Sequence, residues 1–391
     1  MLRLPIALAL LGLTAILHAA PQAGRGVPDV SVSGDATKAI PIAISGFSAE
    51  TQKVLEFDLH VCGFSIVSPT QADYELKGNP GTQVEGSLTE TAKKATLFNR
   101  AYPGGNARTQ AHALADDVVQ AITGGKGLGR GKVVFKLQTG RTSEVYAADF
   151  DGANAVQLTS DNNIVASPVW RPKSRSIYYM SYRAGNADIY AQDLSNGSRS
   201  AVVRFSGSNI SPSPSPDGSQ LAMILSKSGS PDLWVSDASG ANPRRLTTTA
   251  ADESSPCWSP DGKTICVVSR ESGYPALYTV PASGGSLKRL VTGSVRNTTE
   301  PDWSPDGKWI AFTRQRGDYF DICIVSSAGG DAKVLTEGED PSWAPNSRTL
   351  IFARRNGKYG QQRLTLLDWP TGHVKDTARV EGSSSQPNWS R

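Results

Sequence analysis

Asp217, Asp261 and Asp306 occupy one recurring place in the tetrapeptide S-P-D-G, so they are the first residues to weigh for chemistry. Repeated carboxylates suit acid–base catalysis or calcium ligation. A structural cause is also at hand: Asp followed by Gly tolerates the positive φ of a tight hairpin turn. That reading needs nothing beyond turns. After the first twenty residues the histidines are His60, His112 and His373, without HExxH spacing, and G-x-S-x-G is absent. Zinc-protease and serine-hydrolase sites therefore lack their parts. The Gly/Lys stretch at 124–132 looks like a phosphate loop, but Lys132 leads into Val133 and a strand pattern, not into Ser or Thr and a helix. Cys62, Cys257, Cys266 and Cys323 have no C-x-x-C spacing, and the last three fall in apolar strand patterns where a buried thiol is the commoner state. The expectation is a protein that is not an enzyme, with no catalytic residue, metal site or cofactor.

The elements that carry these residues are short and turn-rich. The 391 residues include 38 Gly and 24 Pro, and the net charge is only +4 with no run of five like charges. A basic stripe for nucleic acid is missing. Residues 1–20 read as a secretory signal, with Arg3, an apolar stretch over 6–17, and Ala19 and Ala20 for cleavage; an uncleaved anchor is the alternative. Export would permit disulfides among the four cysteines.

From about residue 133 the chain repeats itself. A proline opens each unit at Pro168, Pro212, Pro256, Pro301, Pro341 and Pro387, at spacings of 44, 44, 45, 40 and 46 residues. Such periods belong to propeller blades of four strands. The first strand carries P-x-W, and S-P-D-G makes the turn. The second is an apolar run suited to burial on both faces. The third ends in Asp-Ile/Leu-aromatic, as at 188–190 and 232–234, and the fourth carries Leu158, Leu246, Leu290 or Leu335. Trp170, Trp258, Trp303, Trp343 and Trp389 read as blade core, and Arg316-Gly317-Asp318 as a hairpin turn. The order is offset, because the chain enters at a second strand (133–136) and leaves on a first strand (387–390). Six blades close only if those two segments pair.

Residues 27–124 have a different texture. Strands are expected at 30–32, 40–44, 64–67, 74–77, 84–86 and 96–102, and helices at 48–60, N-capped by Ser48, and at 109–123. The fold class is thus multidomain, α/β plus all-β: a signal peptide at 1–20, a small N-terminal α/β domain at 27–124, a linker at 125–132, and a six-bladed β-propeller at 133–391 closed by the C-terminal strand.

The W-S-P-D-G blades, their number and the α/β domain ahead of them resemble the TolB family, the periplasmic propellers of the Tol–Pal system. The resemblance rests further on NTTEPDW at 297–303, PIAISGF at 41–47, LHVCGF at 59–64 and the segment 113–135. It implies a periplasmic, monomeric, non-catalytic role in envelope integrity and in constriction during cell division. The propeller would bind the peptidoglycan-associated lipoprotein, Pal, and so associate peripherally with the outer membrane. The N-terminal segment Val30, Ser31, Val32, Ser33, Gly34 and Asp35 would engage TolA, by strand addition or by ordering on binding. In a propeller the loops entering each first strand converge on the channel mouth. Here they hold Asn162, Asn163, Ser208, Asn209, Asp252, Glu253, Asn297, Thr298, Glu300, Glu339 and Asp340, the candidate partner face. The alternatives are a propeller that binds a sugar or small ligand in its channel, and one related to peptidase-gating modules.

Overall fold

The computed structural model describes residues 38–81, 83–355 and 360–390, so the signal reading and residues 30–35 lie outside the described residues. The described residues fall within one compact unit. Among the described residues no helix is long and apolar enough to cross a membrane.

The chain first lays down β1 (Ile40–Ser45), α1 (Ala49–Val61), β2 (Phe64–Ile66), β3 (Tyr74–Gly78), β4 (Val84–Glu90), β5 (Ala95–Tyr102) and α2 (Ala107–Thr123). The sheet runs β2-β1-β3-β4-β5, parallel around β1 and antiparallel from β3 onward. α1 starts where expected: the Ser48 hydroxyl accepts the N–H of Thr51 at 3.2 Å, one of the donors a helix start leaves unpaired. α2 begins two residues before the expected start, because Asn106 caps it by accepting the N–H of Thr109 at 2.9 Å. β4 runs four residues beyond the expected 84–86, since its polar second half pairs with β5 as a hairpin. The helices pack on each other and on the sheet, over a core of fully buried Ile42, Leu55, Leu59, Leu76, Leu88, Leu114 and Val118.

The propeller follows as six four-stranded sheets. Their inner strands are Val165–Trp170, Asn209–Pro214, Glu253–Trp258, Thr298–Trp303, Glu339–Trp343 and Ser383–Trp389, which define blades 1 to 6. The Asp-Ile/Leu-aromatic triplet opens the third strand instead of ending it, as in Asp188–Asp193 and Asp232–Asp237, because the tight hairpin before it delivers Asp at the strand's first position. Leu158, Leu246 and Leu290 fall just after short outer strands. In blade 6 the last strand pairs with Lys132–Thr139, with Trp389 opposite Val133, so the ring closes as the offset requires. Trp343 and Trp389 are wholly buried between blades, and Phe150 stacks 6.0 Å from Trp389.

The two parts share one core. The segment expected as a linker, 125–132, is anchored at its middle: Leu128 is buried and the Gly129 N–H donates to Asp116 Oδ1 at 2.7 Å. At the junction the Thr349 hydroxyl donates to the Val61 carbonyl at 2.8 Å. Gly63, at φ 91°, ends α1 and leaves room for the Arg348 guanidinium, which would lie 2.1 Å from any Cβ there. Arg348 in turn binds Asp368. The His60 and His373 rings stack at 4.2 Å with 1° between planes. Deeper in, His112 Nδ1 lies 2.6 Å from Asp58 Oδ2, and burial pushes the Asp58 carboxyl up to about 6. All four cysteines are buried, and none forms a disulfide.

Candidate functional site

Each inner strand breaks its pairing register with the second strand at the same level. The residue there precedes the proline and takes a positive φ: Ser167 50°, Ser211 53°, Ser255 50°, Glu300 53°, Asp340 57° and Gln386 51°. Proline cannot donate to the ladder, so the strand bulges where the interruption is least costly and turns its side chains toward the axis. These six residues, their prolines, and Val169, Ser213, Cys257, Asp302, Ser342 and Asn388 two places on line a central cavity of about 260 Å³.

The channel residues also tie blade to blade. Glu300 Oε2 accepts the Asp340 N–H at 3.1 Å, Asp340 Oδ2 accepts the Gln386 N–H at 3.0 Å, and Gln386 Oε1 accepts the Ser167 N–H at 2.8 Å. One tier lower, Asp302 Oδ2 accepts the Trp343 N–H at 2.6 Å and Asn388 Oδ1 accepts the Trp170 N–H at 3.0 Å. Burial raises the Glu300 carboxyl above its ordinary range, and Glu339 adds to it. Asp340 is raised well above its own, by burial first and then by Glu300 and Glu339. Sequence reasoning missed Ser167, Ser211, Ser255 and Gln386, although their shared position before each proline was the available signal.

The eleven expected face residues separate into two groups. Asn162, Asn163, Ser208, Asp252 and Asn297 are exposed on the upper side, the side of the loops that enter the inner strands; Glu300 and Asp340 are partly buried at the channel mouth, and partly buried Glu339 accepts from Arg355 and Gln362 within its own blade. Asn209, Glu253 and Thr298 are instead buried, at 0%, 1% and 1% exposure. The Asn209 amide donates to the Ala187 carbonyl at 3.1 Å and the Phe205 carbonyl at 2.9 Å. Glu253 accepts from the hydroxyls of Thr247, Thr249 and Ser269 at 2.8, 2.7 and 3.0 Å. The Thr298 N–H donates to the Pro275 carbonyl at 3.0 Å. Asn209 and Glu253 shape the loops from within through their side chains, because a buried polar side chain must find partners inside, while Thr298 does so through its backbone N–H.

The lower end of the channel opens on a cavity of about 430 Å³ with Trp170, Trp258, Trp303 and Trp389 on its wall, so four of the five blade tryptophans are both core and lining. Among the described residues no group of three His, Cys, Asp or Glu is arranged to hold a metal ion.

Comparison with known proteins agrees with this geometry. A family model described as the TolB beta propeller domain matches residues 119–391. The chain is 32% identical over 104 residues to a protein TolB homolog of Chlorobium chlorochromatii, covering 26% of this chain and 24% of that one. It is 30% identical over 189 residues to the Tol-Pal system protein TolB of Bordetella avium, covering 40% and 43%. The matched stretches thus span less than half the length of these two relatives. Among solved structures, TolB from Acinetobacter baumannii superposes with a TM-score of 0.82 at 26% identity, covering 90% of this chain and 97% of that one. A nidogen/laminin complex gives a TM-score of 0.56 at 11% identity, which is a likeness of fold alone. With six blades closed on Val133, five of them carrying P-x-W, an α/β domain ahead of them and a family model over most of its length, the chain belongs to the TolB family.

Proposed function

We propose that this protein is a non-catalytic, periplasmic component of a Tol–Pal system that works by binding other proteins. Its upper propeller face takes the peptidoglycan-associated lipoprotein, and residues 30–35 engage TolA. The observation that carries the reading is the upper channel mouth: exposed Asn162, Asn163, Ser208, Asp252 and Asn297 surround a ring of carboxylates and amides fixed in place by bonds between blades. A rigid polar rim around a concave centre suits recognition of a folded partner, since little side-chain order is lost on docking. A role in outer-membrane integrity and in constriction of the envelope during division follows from such partners.

The test is capture from envelope extracts with the full mature chain at modest salt, followed by titration with the purified OmpA-like domain of the lipoprotein. Saturable binding that is lost when Asn162, Asp252 and Asn297 are replaced together by Ala is the expected result. Failure of the intact chain to bind that domain would overturn the reading.

A further inference from the structure

At one register position near the start of each blade's third strand, facing the end of the second, an acid usually stands. Asp188 faces Ser181 in blade 1, Asp232 faces Leu225 in blade 2, and Asp321 faces Arg314 in blade 4. Each neutralises arginine: Arg204 lies 3.2 Å from Asp188, Arg245 2.7 Å from Asp232, and Arg314 and Arg316 each 2.6 Å from Asp321. Blade 5 reverses the polarity, with Arg363 at this position paired to Asp376 at 2.9 Å. Blade 6 has Glu144, which accepts the N–H groups of Asp161 and Asn162 at 3.0 and 2.7 Å.

Blade 3 keeps the base and lacks the acid. Buried Ala276 stands opposite Ser269 where the carboxylate belongs. Arg289 is nonetheless present, opposite Tyr278 as Arg245 is opposite Trp234. Its guanidinium bonds the Tyr274 hydroxyl oxygen and lies 5.3 Å from the centre of that ring. Arg296 lies over the same ring at 5.6 Å. Both arginines are exposed, and neither forms an ion pair with a carboxylate among the described residues. The site adjoins the rim, because Pro275 beside Tyr274 accepts the N–H of Thr298.

We propose that Arg289, Arg296 and Tyr274 form an anion-receiving site on the upper face of blade 3, and that its ligand is a carboxylate side chain of the docked protein partner. The proposal rests on the partner-binding reading of this face. Two guanidiniums steadied by one aromatic ring present paired N–H donors in the planar arrangement a carboxylate matches, with little order left to impose. The Tyr274 hydroxyl keeps its own proton to donate. Exposed Glu271 on the Tyr274 hairpin, and exposed Asp252 whose carbonyl accepts the Arg270 N–H of that hairpin, disfavour a broad anionic surface such as a phospholipid membrane, while a single carboxylate meets less of their charge.

Calorimetric titration of the full chain with the OmpA-like domain, at low and at raised salt, tests this. Arg289→Gln with Arg296→Gln is expected to weaken binding roughly tenfold and to flatten its salt dependence. Ala276→Asp, which restores the acid of blades 1, 2 and 4 and removes no side chain that could touch a partner, is expected to occupy Arg289 and weaken binding several-fold. If the double variant, folded by its melting curve, binds as the wild type does, the proposal is overturned while the function reading stands. If the wild type itself does not bind, the function reading fails and this site falls with it. Loss by the double variant of binding to phosphatidylglycerol vesicles, with binding of the domain unchanged, would overturn the carboxylate in favour of a phosphate headgroup.

Discussion

The Glu300 carboxylate and the Asp340 backbone N–H lie 3.1 Å apart, and that bond joins two blades at the channel mouth. Burial and their acidic neighbours raise both carboxyls, so the fold favours their neutral forms. The stability they contribute is complete below the ordinary carboxylate range and is lost as pH rises through the raised values. Glu300→Gln, which keeps an acceptor oxygen and removes the charge, is expected to melt higher than wild type at pH 7.5 and equal to it near pH 4. Melting curves across that range check it, and a pH-independent gap would remove the electrostatic explanation.

The stacked His60 and His373 rings respond in the opposite sense. Burial first, then His373 and Lys375, lower the His60 pKa, with a hydrogen bond to the Val374 backbone and then Asp368 opposing. A lowered base contributes stability above its unfolded value of about 6.5, and that contribution is lost as pH falls. His60→Gln is expected to lose less melting temperature than wild type between pH 7.5 and pH 5. Hydrogen exchange should place the acid-induced opening of the wild type in α1 and in the facing strand His373–Asp376.

Trp389→Ala removes a wholly buried ring from the closing strand. A cost of about 3–5 kcal/mol is expected for truncating a large aromatic in a packed core. Urea unfolding followed by tryptophan fluorescence measures it, and a cost under about 1 kcal/mol would show that the closing strand is dispensable.

Thr349→Val keeps the shape and deletes the hydroxyl that reaches the Val61 carbonyl. The expected loss is about 1–3 kcal/mol, because a buried acceptor forfeits a partner. Faster protease cleavage between the two parts of the molecule is the accompanying readout.

The four thiols are expected to resist modification. Burial pushes Cys323 up to about 12 and Cys62 higher than its ordinary range, so little thiolate is present at neutral pH. A disulfide-exchange reagent should titrate no cysteine in the native protein and four in guanidinium.

The blades were legible because their punctuation recurs: six prolines and the S-P-D-G turns mark units whatever the intervening residues are. Closure was legible too, since the chain begins on a second strand and ends on a first. The junction was not. Thr349, Arg348 and His373 act through single contacts that follow no period, and the 125–132 segment looks loose because its glycines conceal one buried leucine, Leu128. Burial of Asn209, Glu253 and Thr298 was likewise hidden. A polar residue in a loop reads as exposed until the hydroxyls and carbonyls that satisfy it are in place. The blade 3 site was obscured for another reason: what distinguishes it is an alanine, and an alanine in a strand carries no signal unless the six blades are aligned by register.

The pairing of Trp389 with Val133 has a kinetic side. More than half the chain lies between these partners, and joining ends so distant carries an entropy cost that grows with the logarithm of the separation. Non-local pairings of this kind slow folding. During synthesis or export the Lys132–Thr139 strand emerges early and waits with one edge open, while five blades assemble after it. The ring becomes a single cooperative body only when the last seven-residue strand arrives, and the same strand is where opening under stress should begin.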